Sequence, residues 1–89
     1  MKNLNNAHFY QGAAKYKSGD YAGAIADFDE AIKLNPNFAE AYDNRGAAKY
    51  KSGDHAGAIA DFEEAIKLDP DNADVRESRE ELLKKISMH

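Results

Sequence analysis

At 89 residues and 43% hydrophobic content, the chain has room for one domain with a small core, and a domain of this size is only marginally stable. A net charge of −4 and a pI near 5.3 argue against a phosphate-binding surface and so exclude nucleic acid as the expected partner. The absence of cysteine excludes a disulfide framework and a thiolate zinc site, and no apolar run approaches the roughly 20 residues that span a bilayer.

Met1–Leu4 reads as a lead-in, with Asn5 or Asn6 as the cap of a first helix and Leu4 folded back toward Phe9 or Tyr10. No apolar core of a signal peptide lies in Met1–Asn6, so a cytoplasmic location is the expectation. Small and apolar residues at Ala7, Tyr10, Ala14 and at Phe9, Ala13, Tyr16 recur at helical spacing as far as Lys17. Ser18-Gly19-Asp20 then interrupts: Gly19 can adopt the left-handed conformation that closes a helix, and Asp20 can accept from the free amides that open the next. The second helix puts Ala24, Ile25, Phe28, Ala31 and Ile32 on one stripe, and Pro36 ends it near Leu34. Asn37-Phe38 turns the chain into Ala39.

From there the pattern starts again. The nine residues Gly12–Asp20 return unchanged as Gly46–Asp54, and residues 5–38 against 39–72 share 23 of 34 positions. A fixed period means one helical hairpin copied and stacked, with no linker between the copies. After Pro70 the pattern changes: Asp71-Asn72 can cap a last helix over residues 73–87, in which Val75, Leu82, Leu83 and Ile86 form an apolar stripe. Ser87, Met88 and His89 are expected to fray.

With its 34-residue period and Gly12, Ala24, Phe28, Pro36 repeated as Gly46, Ala58, Phe62, Pro70, the chain resembles the tetratricopeptide repeat family. The resemblance implies an all-α, right-handed solenoid of helical hairpins: five helices, two repeats (5–38 and 39–72) and a capping helix (73–87) in a single domain over 1–89. Small residues at the crossing let backbones approach, so Gly12 is expected opposite Ala24 and Gly46 opposite Ala58, with Phe28 and Phe62 filling the space beside them. Gly23 and Gly57 read likewise as small residues that admit a close neighbour. Where the family prefers Trp, Leu and Tyr, this chain has His8, Gln11, Lys15 and Tyr42, Arg45, Lys49. The stems of Arg45 and Lys49 are expected to cover the seam while their heads reach water toward Asp27 or Asp61.

No constellation requires catalysis or a cofactor. The carboxylates Asp27, Asp29, Glu30 and Asp61, Glu63, Glu64 read as a solvated helix face, because adjacent residues point in different directions. His8, His55 and His89 lack the helical spacing of metal ligands, Ser18 and Ser52 sit in turns without a histidine nearby, and the lysines of KYKSGD lack a phosphate-loop glycine pattern. The chain is therefore read as a non-enzymatic module for a protein or peptide partner. In the family the first helix of each repeat lines a concave groove; here that face carries Phe9, Ala13, Tyr16, then Asp43, Ala47, Tyr50, then Glu77, Glu81, Lys84, flanked by Tyr10, Asn44 and Ser78. The two copies differ most on this face.

Some family members hold acidic chaperone tails in a clamp of Lys, Asn and Arg. Asn44 fits one clamp position, whereas Phe9, Ala13, Asp74 and Ser78 occupy the others, so the resemblance implies no carboxylate clamp. The C-terminal end of the groove is expected to be negative through Asp43, Asp74, Glu77 and Glu81, and the ligand to be an extended basic and apolar segment. The alternative is a structural or engineered repeat scaffold without a specific ligand that self-associates, a homodimer through the uncovered face of Ala7, Tyr10 and Ala14 being the expected form.

Overall fold

The computed structural model describes residues 4–88, with side chains from residue 7. The expectations for residues 1–3, the Leu4 side chain and His89 lie outside the described part. Five helices follow one another: α1 (Leu4–Ser18), α2 (Tyr21–Leu34), α3 (Ala39–Lys51), α4 (His55–Leu68) and α5 (Ala73–Ser87). Because α1 starts at Leu4, the expected caps Asn5 and Asn6 fall inside it. Each helix packs on the next, and α1 also touches α3. The shortest dimension of the molecule is 17 Å, which is two helix layers at the usual axial spacing of about 8–10 Å.

The two hairpin turns are built identically. Gly19 and Gly53 take φ of +90° and +96°, a region that a Cβ disfavours. The Asp20 amide donates to the Lys15 carbonyl at 2.9 Å and Gly19 to Tyr16 at 3.1 Å, the paired closure that satisfies the last carbonyls of a helix; Asp54 to Lys49 and Gly53 to Tyr50 repeat it. The same aspartate then starts the next helix, since Asp20 Oδ1 accepts from the Gly23 amide at 2.9 Å and Asp54 Oδ1 from Gly57 at 2.9 Å. The close neighbour expected at Gly23 and Gly57 is this cap: a methyl group on either would stand 2.3 or 2.2 Å from the capping carboxylate.

Within each hairpin the helices cross on an aromatic ring. A methyl group added at Gly12 would lie 2.7–3.0 Å from the Phe28 ring, and one at Gly46 would lie 2.8 and 2.9 Å from Phe62. The glycine thus faces the phenylalanine itself, and at Gly46 the expected Ala58 also comes close, through its carbonyl at 3.2 Å. Phe28 and Phe62 are buried, each worth about 1.5–3 kcal/mol of removed apolar surface. Around Phe28 gather Ala24 and Ala48 with Phe9, Tyr16, Tyr21 and Ile25; around Phe62 gather Ala58, Ala65, Val75 and Leu82 with Tyr42, Tyr50, Ile59 and Ile66.

The last helix covers this second cluster and stops the pattern. Asn72 Oδ1 caps it by accepting from the Asp74 amide at 3.1 Å, and it remains helical through Ser87, one residue into the expected fray. Only Val75 and Leu82 of its expected stripe are buried; Leu83 and Ile86 are 41% and 40% exposed. Leu83 stands 34 residues after Lys49, which meets Asp61 of its hairpin partner α4, and α5 has no such partner among the described residues. Glu80 occupies the register of Gly12 and Gly46, so no phenylalanine could close over it.

A polar seam runs beside the aromatic contacts. Lys15 reaches Asp27 at 2.9 Å in the first hairpin, and Lys49 reaches Asp61 at 3.1 Å in the second. Arg45 adds a two-pronged pair to Asp61, Nε–Oδ2 2.9 Å and Nη2–Oδ1 2.7 Å, and its Nη1 donates to Asp29 of α2 at 2.7 Å. One guanidinium thereby joins α2, α3 and α4. The heads of Arg45 and Lys49 meet Asp61 as expected, but the Asp61 side chain is only 6% exposed and does not belong to a solvated face. Asp27, at 13%, departs from that face as well, whereas Asp29 and Glu30 are half exposed. The hydrogen bond to Asp61 raises the Arg45 pKa against the opposing effect of burial, with Asp29 assisting.

Two stability outcomes follow from these contacts. Gly46→Ala should cost about 1–3 kcal/mol in denaturant unfolding by overpacking the Phe62 ring, while Glu80→Ala, in the same register of α5, should stay within about 0.5 kcal/mol of the parent. Equal stability of Gly46→Ala and the parent would contradict the ring contact. Asp61→Asn should cost about 1.5–3 kcal/mol, because it leaves Arg45 and Lys49 without their shared charge, and Asp27→Asn should cost less, with only Lys15 held at close range; unfolding midpoints of the two variants check the order.

Candidate functional site

Two reversals of direction leave α1, α3 and α5 parallel in one layer, and the open face of that layer holds two adjoining cavities. The larger, about 240 Å³, lies between α3 and α5; Ala47, Tyr50 and Phe62 form its apolar wall, and Ser78, Glu81 and Lys85 its polar one. The smaller, about 200 Å³, lies between α1 and α3 over Ala13, Phe28 and Ala47, with Asn44 and Lys17 at its margin. Tyr16 and Ala47 line both, so the two form one trough across three helices. Each is smaller than the roughly 300–1,000 Å³ of small-molecule sites.

Of the residues expected in a groove, Ala13, Tyr16, Asn44, Ala47, Tyr50 and Glu81 come together here. Phe9 does not; its ring packs 5.8 Å from Phe28 and 4.9 Å from Phe38 and closes the edge of the core. Tyr10 stands 66% exposed against the Phe9 ring, at 5.5 Å. Asp43 and Glu77 are outside both linings, each one position before a lining residue, Asn44 and Ser78, and Asp74 lies a further turn toward the N-terminus of α5. The cavities sit nearer the C-terminal ends of the helices than the sequence stripe suggests.

That shift brings in residues which the sequence reading passed over. Lys17, Lys51 and Lys85 all line the trough. They are separated by 34 residues each, so the repeat period itself, carried on into α5, is the signal that could have found them. The C-terminal end of the groove is consequently not simply negative: Lys51 and Lys85 stand there beside Glu81.

Tyr50 is held from two sides. His55 stacks at 5.3 Å between ring centroids, and Lys85 places its Nζ 5.1 Å from the ring centre and 2.5 Å from the hydroxyl, a bond that raises the lysine pKa. At the other end, burial and then the charges of Asp74 and Glu40 push the Asp43 carboxyl above its ordinary value of 3.8. Among the described residues no three His, Cys, Asp or Glu side chains gather as metal ligands would.

Residues 12–53 match the family model described as TPR repeat, and residues 39–72 the one described as Tetratricopeptide repeat; together these span 61 of the 89 residues. No curated protein matches the chain. Solved structures do: the first TPR of Spaghetti (RPAP3) bound to the HSP90 peptide SRMEEVD superimposes with a TM-score of 0.90 at 23% identity, over 93% of this chain and 66% of that one. MamA gives 0.91 at 25% identity, over 93% and 48%, and the first TPR domain of human RPAP3 gives 0.87 at 23%, over 91% and 64%. The chain thus spans between about half and two thirds of the length of these structures. With both repeat models matched between residues 12 and 72, the chain belongs to the tetratricopeptide repeat family.

Proposed function

We infer that the chain is a non-enzymatic protein-interaction module which takes an extended peptide segment in the trough of α1, α3 and α5. The observation that carries this reading is the trough itself: two linked cavities that run across three helices, with apolar floors and separated polar groups. Apolar side chains of an extended segment could seat in the two cavities, while Asn44 offers both a donor and an acceptor to its backbone. No histidine lines either cavity, so Ser78 has no imidazole base of the kind that activates a nucleophile. A relative frame solved with a peptide supports the reading, although at 23% identity the likeness extends to the frame and not to the residues that choose a ligand.

For the ligand, an apolar anchor suits Tyr16 and Ala47, and a basic side chain suits the acidic edge of Asp43, Asp74 and Glu77. Titration of the chain with fluorescent peptides of matched length tests this. Asp43→Lys with Glu77→Lys should weaken a basic, apolar peptide by up to about 1 kcal/mol per reversed charge, whereas Glu63→Lys on α4 should not. If these reversals have no effect, or the α4 reversal matters equally, the acidic edge does not take the basic side chain. Acid should act in the same direction. Since the folded pKa of Asp43 is raised, its ionised form costs stability at neutral pH, and that cost is relieved as the pH falls through the raised value. Protonation also removes the charge, so affinity for the basic peptide should begin to fall at a higher pH than an aspartate of ordinary pKa would give.

One observation favours the second reading, a self-associating scaffold. Ala7 and Ala14 are exposed together with Tyr10, whereas their counterparts Ala41 and Ala48 are fully buried beneath the preceding repeat. Sedimentation decides: this reading requires a mass that rises with protein concentration and stays at monomer for Tyr10→Lys, and a constant monomer mass into the high micromolar range removes it.

A further inference from the structure

Resting on the peptide-groove reading above, we propose that the trough selects its ligand from two oppositely charged edges. The row Lys17, Lys51, Lys85 takes acidic side chains and the edge of Asp43, Asp74 and Glu77 takes basic ones. The partner is an extended segment that carries acidic residues on one flank and basic residues on the other.

The lysine row is uncommitted inside the molecule. The corresponding lysines of α2 and α4 are engaged: Lys33 meets Glu30 at 3.6 Å and Lys67 meets Glu64 at 3.8 Å, each three residues back. Lys17, Lys51 and Lys85, which end the three trough-lining helices, have no carboxylate at ion-pair distance among the described residues. All three are exposed, and all three border the cavities. Lys85 is positioned by the Tyr50 hydroxyl, a contact that leaves its charge unneutralised.

The acidic edge stands at the opposite end of the same helices. The charge of Asp74 opposes ionisation of Asp43, and a cation placed beside them would relieve that repulsion. Eight positions separate Asp43 from Lys51, so the edges are about 12 Å apart along α3 at 1.5 Å per residue, with Ala47 between them. Successive side chains of an extended strand point to opposite sides. Neighbouring residues of opposite charge can therefore reach both edges while the backbone crosses the small residues of the floor.

Fluorescence anisotropy with the full chain at low salt tests the proposal, using peptides of one length and one apolar anchor. The charged positions are alternating Glu and Lys, the same residues in two blocks, Lys with Gln, or Gln alone. The alternating peptide should bind roughly two- to fivefold more tightly per matched acid than the Lys–Gln peptide, and more tightly than the blocked one, with the gain fading as salt rises. Combined Lys17→Gln, Lys51→Gln and Lys85→Gln, all at exposed positions, should abolish the gain from Glu and keep the gain from Lys; Asp43→Asn with Asp74→Asn should do the reverse. Circular dichroism confirms that the variants fold. If Glu adds nothing, or its gain survives the triple lysine variant, the two-edged selection is wrong while the groove reading stands on the Lys–Gln peptide. If no peptide binds, including the one with Gln alone, both fail.

Discussion

The structure depends on an aromatic ring pressed onto a glycine. Phe28 on Gly12 and Phe62 on Gly46 set how closely the two helices of each hairpin approach, because the space a Cβ would need is already filled by ring carbons. A crossing fixed in this way also fixes rotation about each helix axis. Once the glycine side of α1 and α3 is committed to the ring, the side bearing Ala13, Tyr16, Ala47 and Tyr50 has to face outward, and the trough results. The contact also defines where the pattern ends: with Glu80 in the glycine register, α5 can cover Phe62 and Ala65 from one side but cannot accept a ring of its own.

Ring and glycine order each hairpin internally, and a single arginine ties one hairpin to the next. Arg45 fills the position where the family commonly places an apolar residue, and it is shared between Asp61 of its own repeat and Asp29 of the repeat before. Apolar packing at that seam would tolerate sliding by small amounts, whereas a planar fork with three short bonds specifies one register between the repeats. Such a network costs desolvation, so its contribution lies more in the uniqueness of the stacking than in net stability. Register matters for the trough, since Tyr16 and Ala47, which belong to both cavities, come from different repeats.

Much of this architecture was legible in the sequence wherever its cause is local. Gly19 and Gly53 at positive φ, the caps at Asp20, Asp54 and Asn72, and the stop before Pro36 depend on residues within one turn of each other. What depends on how helices sit against each other was less legible. Asp61 looks like one acid among several on an exposed face until Arg45 and Lys49 are brought across the crossing to bury it. The trough residues were found in part, because a stripe drawn on an isolated helix shows which positions share a side but not how far along the axis the neighbouring helices leave a gap. Phe9 was drawn inward by Phe28 and Phe38, and the open space moved toward the lysine ends. Leu83 and Ile86 follow an apolar pattern with nothing opposite to bury them.

The claim that the concave trough is the recognition surface is tested most directly by amide chemical-shift mapping of the labelled chain during titration with the alternating Glu–Lys peptide. Saturable shifts concentrated in Ala13–Lys17, Asn44–Lys51 and Ser78–Lys85, with α2 and the outer face of α4 unaffected, are the predicted result. Shifts centred on Glu30 and Glu63, or on Ala7, Tyr10 and Ala14 at the solenoid end, would place recognition elsewhere and contradict it.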